Sequence, residues 1–202
     1  DHPGLCLVPV AGVVARGAGK SVLLFSDRAP EEIRTVGLDT SSRTSAALVR
    51  VLFEHRWGTR PTFRPRPPDP VISCREHDAV LLIGDPALRA VWTGRPPIDL
   101  GAEWTGWTGL PFVFAAWIAR DADTAARAEQ PLRKAAETGR ARLDAIAALE
   151  AERLGMPPED VRRYLRDHLS FDLGAAELDG LARFHALWRA TPGLGAAEAR
   201  SA

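Results

Sequence analysis

Thr35-Val36-Gly37-Leu38-Asp39-Thr40-Ser41-Ser42-Arg43-Thr44-Ser45 decides how the chain is read. Residues 35–39 are a short apolar run closed by an acid, the pattern of a buried strand. Behind the hydroxyl-bearing residues, Thr44, Ala47, Leu48, Val51, Leu52 and His55 recur at i, i+3, i+4, i+7, i+8 and i+11. That spacing is the stripe of an amphipathic helix, and Gly58 is a natural stop for it. Strand, polar turn and helix in this order make the repeating half of an α/β protein.

The same pattern extends on both sides. Residues 21–26 (SVLLFS) and 78–83 (DAVLLI) are further apolar runs bounded by Gly, Ser or Asp. Their apolar residues run on without alternating, which suits strands covered on both faces in a parallel sheet. Residues 111–118 (PFVFAAWI) form a longer fourth candidate that could join two lobes. Asp85-Pro86 predicts a second helix, with Asp85 as N-cap and Pro86 at the first helical position. From Asp123 onward the chain is rich in Ala, Leu, Arg and Glu with no strand candidate; Pro131, residues 155–158 and residues 170–174 divide it into three or four helices.

Composition bounds the function. The 202 residues carry 26 Lys+Arg against 26 Asp+Glu, a formal charge of zero, with 46% hydrophobic and 26% charged residues. This is the balance of an ordinary globular domain and argues against a disordered tail or a dedicated nucleic-acid binder. Residues 1–70 carry 10 basic and 7 acidic side chains, the excess gathering in Arg56, Arg60, Arg64 and Arg66. Pro61, Pro65, Pro67, Pro68 and Pro70 interrupt that segment, so it reads as an exposed, extended connector with solvated arginines. The longest apolar run, residues 110–119, is half the ~20 residues of a membrane span, and no membrane partner is expected. Cys6 and Cys74 make neither a disulfide framework nor a metal pair and read as two thiols in a reducing cytoplasm. The opening Asp1-His2-Pro3-Gly4 is neither a Met start nor a signal peptide.

Chemistry concentrates at the turn already quoted. The hydroxyls of residues 40–45 and the first amides of a helix converge at the carboxyl end of a strand, where open α/β sheets bind ligands. Helix amino ends attract anions, because their amides lack intrahelical partners and the macrodipole is positive there. The plainer alternative is that Ser41 or Ser42 only caps the helix, which needs one hydroxyl; the cluster exceeds that need, and a carboxylate site is favoured. Gly84-Asp85 ends another strand and faces the same side if the strands are parallel. There Gly84 would admit a ligand and Asp85 would order water or a hydroxyl, with N-capping an equal alternative. Trp104, Trp107, Gly109, Leu110 and Phe112 form an aromatic turn into the long strand, which either walls a small ring or packs a junction. Gly17-Ala18-Gly19-Lys20-Ser21 is not a P-loop, because Val14 stands where glycine is needed and a strand follows. His2, His55, His77, His168 and His185 have no metal-like spacing, and no G-x-S-x-G elbow exists.

Taken in order, several blocks resemble one family. They are Leu7-Val8-Pro9, Lys20-Ser21-Val22-Leu23-Leu24-Phe25-Ser26, Leu38-Asp39-Thr40-Ser41-Ser42-Arg43-Thr44-Ser45, Leu82-Ile83-Gly84-Asp85-Pro86-Ala87-Leu88 and Asp99-Leu100-Gly101. Trp104, Trp107, Gly109-Leu110-Pro111-Phe112-Val113-Phe114-Ala115, Tyr164-Leu165 and Phe171-Asp172-Leu173-Gly174 follow. Together they resemble the chorismate dehydratases of the futalosine route to menaquinone, over nearly the whole chain. The sister family, 1,4-dihydroxy-6-naphthoate synthase, is less similar in the S-S-R-T-S block.

The resemblance implies an α/β chain with the two-lobed fold of type II periplasmic binding proteins, the ligand lying in the cleft, and a helical C-terminal tail. Residues 1–27 with 111–202 would form lobe 1 and residues 28–110 lobe 2. Family members begin with a further strand–helix segment, so the amino-terminal part of lobe 1 is expected to be missing. It implies dehydration of chorismate to 3-[(1-carboxyvinyl)oxy]benzoate, without cofactor or metal, by a cytoplasmic monomer or homodimer. Ser41, Ser42, Arg43, Thr44, Ser45, Gly84, Gly109, Leu110 and Phe112 would bind substrate, and Asp85 would assist departure of the hydroxyl. A solute-binding module for small carboxylates is the rival from a non-enzymatic class.

Overall fold

A computed structural model describes residues 4–194; the expectations on Asp1, His2 and Pro3 lie outside it. The elements in order are β1 (Cys6–Ala15), β2 (Val22–Phe25), β3 (Thr35–Asp39), α1 (Arg43–His55), β4 (Thr62–Arg66), β5 (Ala79–Ile83), α2 (Asp85–Leu88), β6 (Ile98–Asp99), α3 (Leu100–Thr108), β7 (Phe112–Ala119), α4 (Ala122–Ala141), α5 (Leu143–Leu154), α6 (Pro158–Arg163), β8 (Ser170–Asp172) and α7 (Ala175–Ala190). The chain is an α/β protein. It divides into two compact units: the described part of Asp1–Arg16 with Leu110–Gly180, and Gly17–Gly109 with the described part of Leu181–Ala202. Among the described residues no helix is long and apolar enough to cross a membrane.

The unit containing Gly17–Gly109 is built on a five-stranded sheet in the order β4-β3-β5-β2-β6. β3 pairs in parallel with both β4 and β5, so the parallel expectation holds there. It fails at β2, which runs antiparallel to β5 and to β6. Continuous burial on both faces produces the same apolar run in either direction, so the run could not report it. Phe25, Val80, Leu82 and Ala87 form one buried cluster of this unit. Leu48, Val51 and Leu52 of α1 are fully buried, as the stripe requires.

Several other expectations need correction. The proline-rich connector contains β4, an outer strand; Pro65, which lacks an amide, is tolerated because it lies at a sheet edge. The aromatic turn is largely helix: Trp104 and Trp107 lie in α3, with Trp104 fully buried against Trp107 and Phe184. Asp99 caps α3 by accepting from Gly101 N at 2.9 Å and Ala102 N at 3.0 Å. The cap of α2 is Gly84, not Asp85. β5 ends one residue before it, and its φ of 63° and ψ of −139° suit glycine alone.

The other unit carries a three-stranded antiparallel sheet, β7-β1-β8. β1 escapes the pattern reading because Pro9 and Gly12 fall inside it, at a register irregularity between Val8 and Gly12. β8 is a strand in the tail expected to be wholly helical. α4 packs Ala125, Leu132 and Ala136 on Val8, Val10, Ala11 and Ala119. It runs through Pro131 instead of breaking there, although that residue cannot donate to the carbonyl four back.

At the amino end of β3 and β5, Asp78 accepts from Arg34 N at 2.9 Å and Thr35 N at 3.0 Å, with Arg28 at 3.3 Å. The Arg34 amide, followed by the Thr35 amide and the Arg28 charge, holds this carboxyl below its ordinary range. A depressed folded value contributes stability that is full above an unfolded value of about 3.9 and lost as pH falls through the folded one. Thermal unfolding followed from pH 6 to pH 2 will therefore fall off less steeply in Asp78→Asn than in the wild type; parallel curves would remove Asp78 from acid unfolding.

Candidate functional site

The end of β3 sets the site. Asp39 is 1% exposed, and a buried carboxylate must be given donors. Its Oδ1 accepts from Ser41 N at 2.9 Å, folding the chain back after the strand. Its Oδ2 accepts from Ile83 N at 3.2 Å, tying this turn to the carboxyl end of β5. The next residue, Gly84, donates its N–H to Ser21 O at 2.7 Å. Three chain segments therefore meet at one edge of the sheet: residues 39–45, Gly84-Asp85 and Lys20-Ser21.

Ser42 is the N-cap of α1, its Oγ accepting from Ser45 N at 3.2 Å. The same hydroxyl donates to Ser45 Oγ at 3.1 Å. Ser45 is 1% exposed. The capping alternative is thus realised at Ser42, and these two hydroxyls are engaged with each other. Ser41 and Arg43 are exposed and Thr44 is half-buried. The amide of Thr44, in the first turn, has no protein partner among the described residues, which is the usual state of an anion-accepting helix end.

The structure brings Ser41, Ser42, Arg43, Thr44, Ser45, Gly84 and Asp85 to this one edge, the last two half-buried. Gly109 is elsewhere in the same unit, closing α3 in the left-handed conformation at φ 72°. Leu110 and Phe112 belong to the other unit, where Phe112 is buried with its ring 4.7 Å from that of Phe114.

Sequence reasoning missed two acids. In the sequence Asp39 marks only the end of a strand, although an acid closing an apolar run ahead of a helix cap is a usable signal, and Asp99 carries no assigned role. Besides capping α3 it accepts from Gly19 N at 3.1 Å and Lys20 N at 2.7 Å, so one carboxylate fixes the loop before β2. Lys20 has φ 61°, a left-handed backbone that costs a non-glycine residue about 1–2 kcal/mol. That strain is offset by the two amides Asp99 holds.

A separate cavity of about 650 Å³ lies in the unit of the three-stranded sheet. Its lining is mostly apolar, with small residues such as Ala11, Gly12, Ala116 and Ala136 beside Trp117 and Phe171 among the lining residues. Arg140 at this cavity pairs with Asp172 at 2.8 Å. None of the predicted site residues lines it.

A hydroxyl-lined helix start at the carboxyl edge of the sheet presents open amides and the positive end of a helix dipole, features that suit an anion. The chain belongs to the menaquinone biosynthesis family, whose model matches residues 2–190. It is 34% identical over 179 residues to a protein named chorismate dehydratase from Thermus thermophilus. That alignment covers 80% of this chain and 65% of the relative, so the chain spans just under two thirds of the relative's length.

Asp39→Asn turns an amide NH₂ towards one of the two backbone donors while preserving shape. The expected loss is about 1.5–3 kcal/mol, read as a lowered urea midpoint at pH 7 with an unchanged slope. An unaltered midpoint would mean that Asp39 does not hold the edge together.

Proposed function

We propose that the protein is a hydro-lyase of menaquinone biosynthesis that dehydrates chorismate to 3-[(1-carboxyvinyl)oxy]benzoate. The observation that carries this reading is the amino end of α1, presented by Asp39 at the sheet edge, where the Thr44 amide has no partner among the described residues. Family membership and the likeness to a chorismate dehydratase support it.

Chorismate is a dicarboxylate, and one carboxylate is held by the Thr44 amide and hydroxyl with Ser41 beside them. Ser42 and Ser45 act as positioning residues, since their hydroxyls are spent on the cap. Arg43 adds positive charge in the first turn. In the reaction the C3 proton passes to a base, the C3–H electron pair becomes the new ring double bond as the C4–O bond breaks, and the departing hydroxide, ordered by Asp85, takes up that proton and leaves as water. The ring becomes aromatic, which supplies much of the driving force. The protein contributes orientation and fixed charge, and no strong nucleophile is needed. The reading includes the two-lobed fold of type II periplasmic binding proteins. It places the protein in the cytoplasm as a monomer or homodimer.

Incubation with chorismate, followed by chromatography, is expected to yield the aromatic enolpyruvyl ether. Thr44→Ala should lower kcat/KM about tenfold or more, the equivalent of one charge-assisted bond. Binding without turnover would favour a solute-binding module. Neither binding nor turnover would favour the 1,4-dihydroxy-6-naphthoate synthase reading.

A further inference from the structure

We infer that Lys20 is a second, cationic anchor at the same edge, set in place by Asp99, and that it takes the carboxylate of chorismate not held at α1. The inference rests on the dicarboxylate reading above and assigns its other half.

Lys20 is the one non-glycine residue with positive φ among the described residues. Glycine would satisfy that backbone without strain, so lysine is held there at a conformational cost. Asp99 enforces the conformation, accepting from Gly19 N and Lys20 N with one end of its carboxylate already on Gly101 N and Ala102 N. With four amides around it, that carboxylate is a fixture for the loop. No ion pair involves Lys20 among the described residues, and the residue is exposed.

Its place follows from the register. Val22 lies opposite Ile83, the last residue of β5, and Ser21 O receives Gly84 N. Lys20 therefore stands just beyond the carboxyl end of β5, beside Gly84-Asp85. β3 is the next strand over on the far side of β5. Two strand spacings, about 10 Å, separate the start of β2 from the end of β3, where α1 begins. A ring bearing two acidic groups spans such a gap once a lysine side chain reaches inward. The amino end of α1 supplies the positive pole of its dipole on one side and Lys20 a full charge on the other, so the two ends of a dianion meet charge of the right sign.

Calorimetric titration with chorismate and with 3-hydroxybenzoate, which has one carboxylate, tests the assignment on wild type, Lys20→Gly, Lys20→Arg and Asp99→Asn. Lys20→Gly relieves the left-handed strain while deleting the ammonium, so it should melt at or above the wild-type temperature. It should nevertheless bind chorismate about tenfold or more weakly. Lys20→Arg should recover most of that loss, and 3-hydroxybenzoate affinity should be unchanged by either. Asp99→Asn should weaken chorismate binding when Lys20 is present and have no added effect beside Lys20→Gly, the mark of a positioning residue. Chorismate affinity within twofold of wild type in Lys20→Gly overturns the anchor, as does an equal loss for 3-hydroxybenzoate. Failure of the unaltered protein to bind chorismate overturns the parent reading instead, and is seen before any variant is made.

Discussion

A buried acid with an amide on either side of a seam is the constraint on which the site depends. Asp39 ends one strand, folds back the chain that follows it, and grips the last residue of the neighbouring strand. Leaving such a carboxylate without donors would cost several kcal/mol, so the turn and the strand end are fixed together. The start of α1 inherits its position from this arrangement. Gly84 follows at once, in a conformation open only to glycine, and hands its amide to the strand on the other side. A second acid, Asp99, repeats the device one strand further on. The sheet edge is thus shaped by carboxylates that bind backbone, with the start of α1, Gly84-Asp85 and Lys20 side by side along it.

Much of the unit containing Gly17–Gly109 was legible from sequence, for identifiable reasons. The run at residues 35–39, the stripe through Leu48 and Leu52 and the cap at Ser42 are local patterns, and each reports directly on burial or on one hydrogen bond. What stayed hidden was of another kind. The direction of β2 cannot be read from a run buried on both faces. β1 and β4 contain prolines, and whether a proline ends a strand depends on whether that stretch lies at an edge or a bulge. α3 was obscured by its two tryptophans and its glycines, although Asp99 ahead of Leu100 was a cap signal. At the site, Thr44 and Gly84 were reachable, whereas the burial of Ser45 was not. A serine's rotamer and depth depend on its neighbour Ser42, and the roles of Asp39 and Asp99 depend on partners over 40 and about 80 residues away.

The two units divide the chemistry unevenly. Every polar group assigned to substrate in the functional reading lies in the unit of the five-stranded sheet. The other unit is mainly apolar around a cavity floored by alanine and glycine, with Arg140 and Asp172 neutralising each other nearby. The proposed reaction asks a protein to hold two acids apart, to place a base at one ring proton and to keep the leaving hydroxyl in line. A rigid sheet edge is well suited to that task, since its groups are placed by main-chain bonds and not by flexible loops.

The outermost strand of the larger sheet has an effect beyond its own unit. Pro65 has no amide to extend to a stranger, and Arg64 beside it adds exposed charge. A strand arriving from another molecule would meet a broken ladder and mutual repulsion between stacked guanidinium groups. That edge of the sheet is therefore insulated against the addition of a strand from a neighbouring molecule.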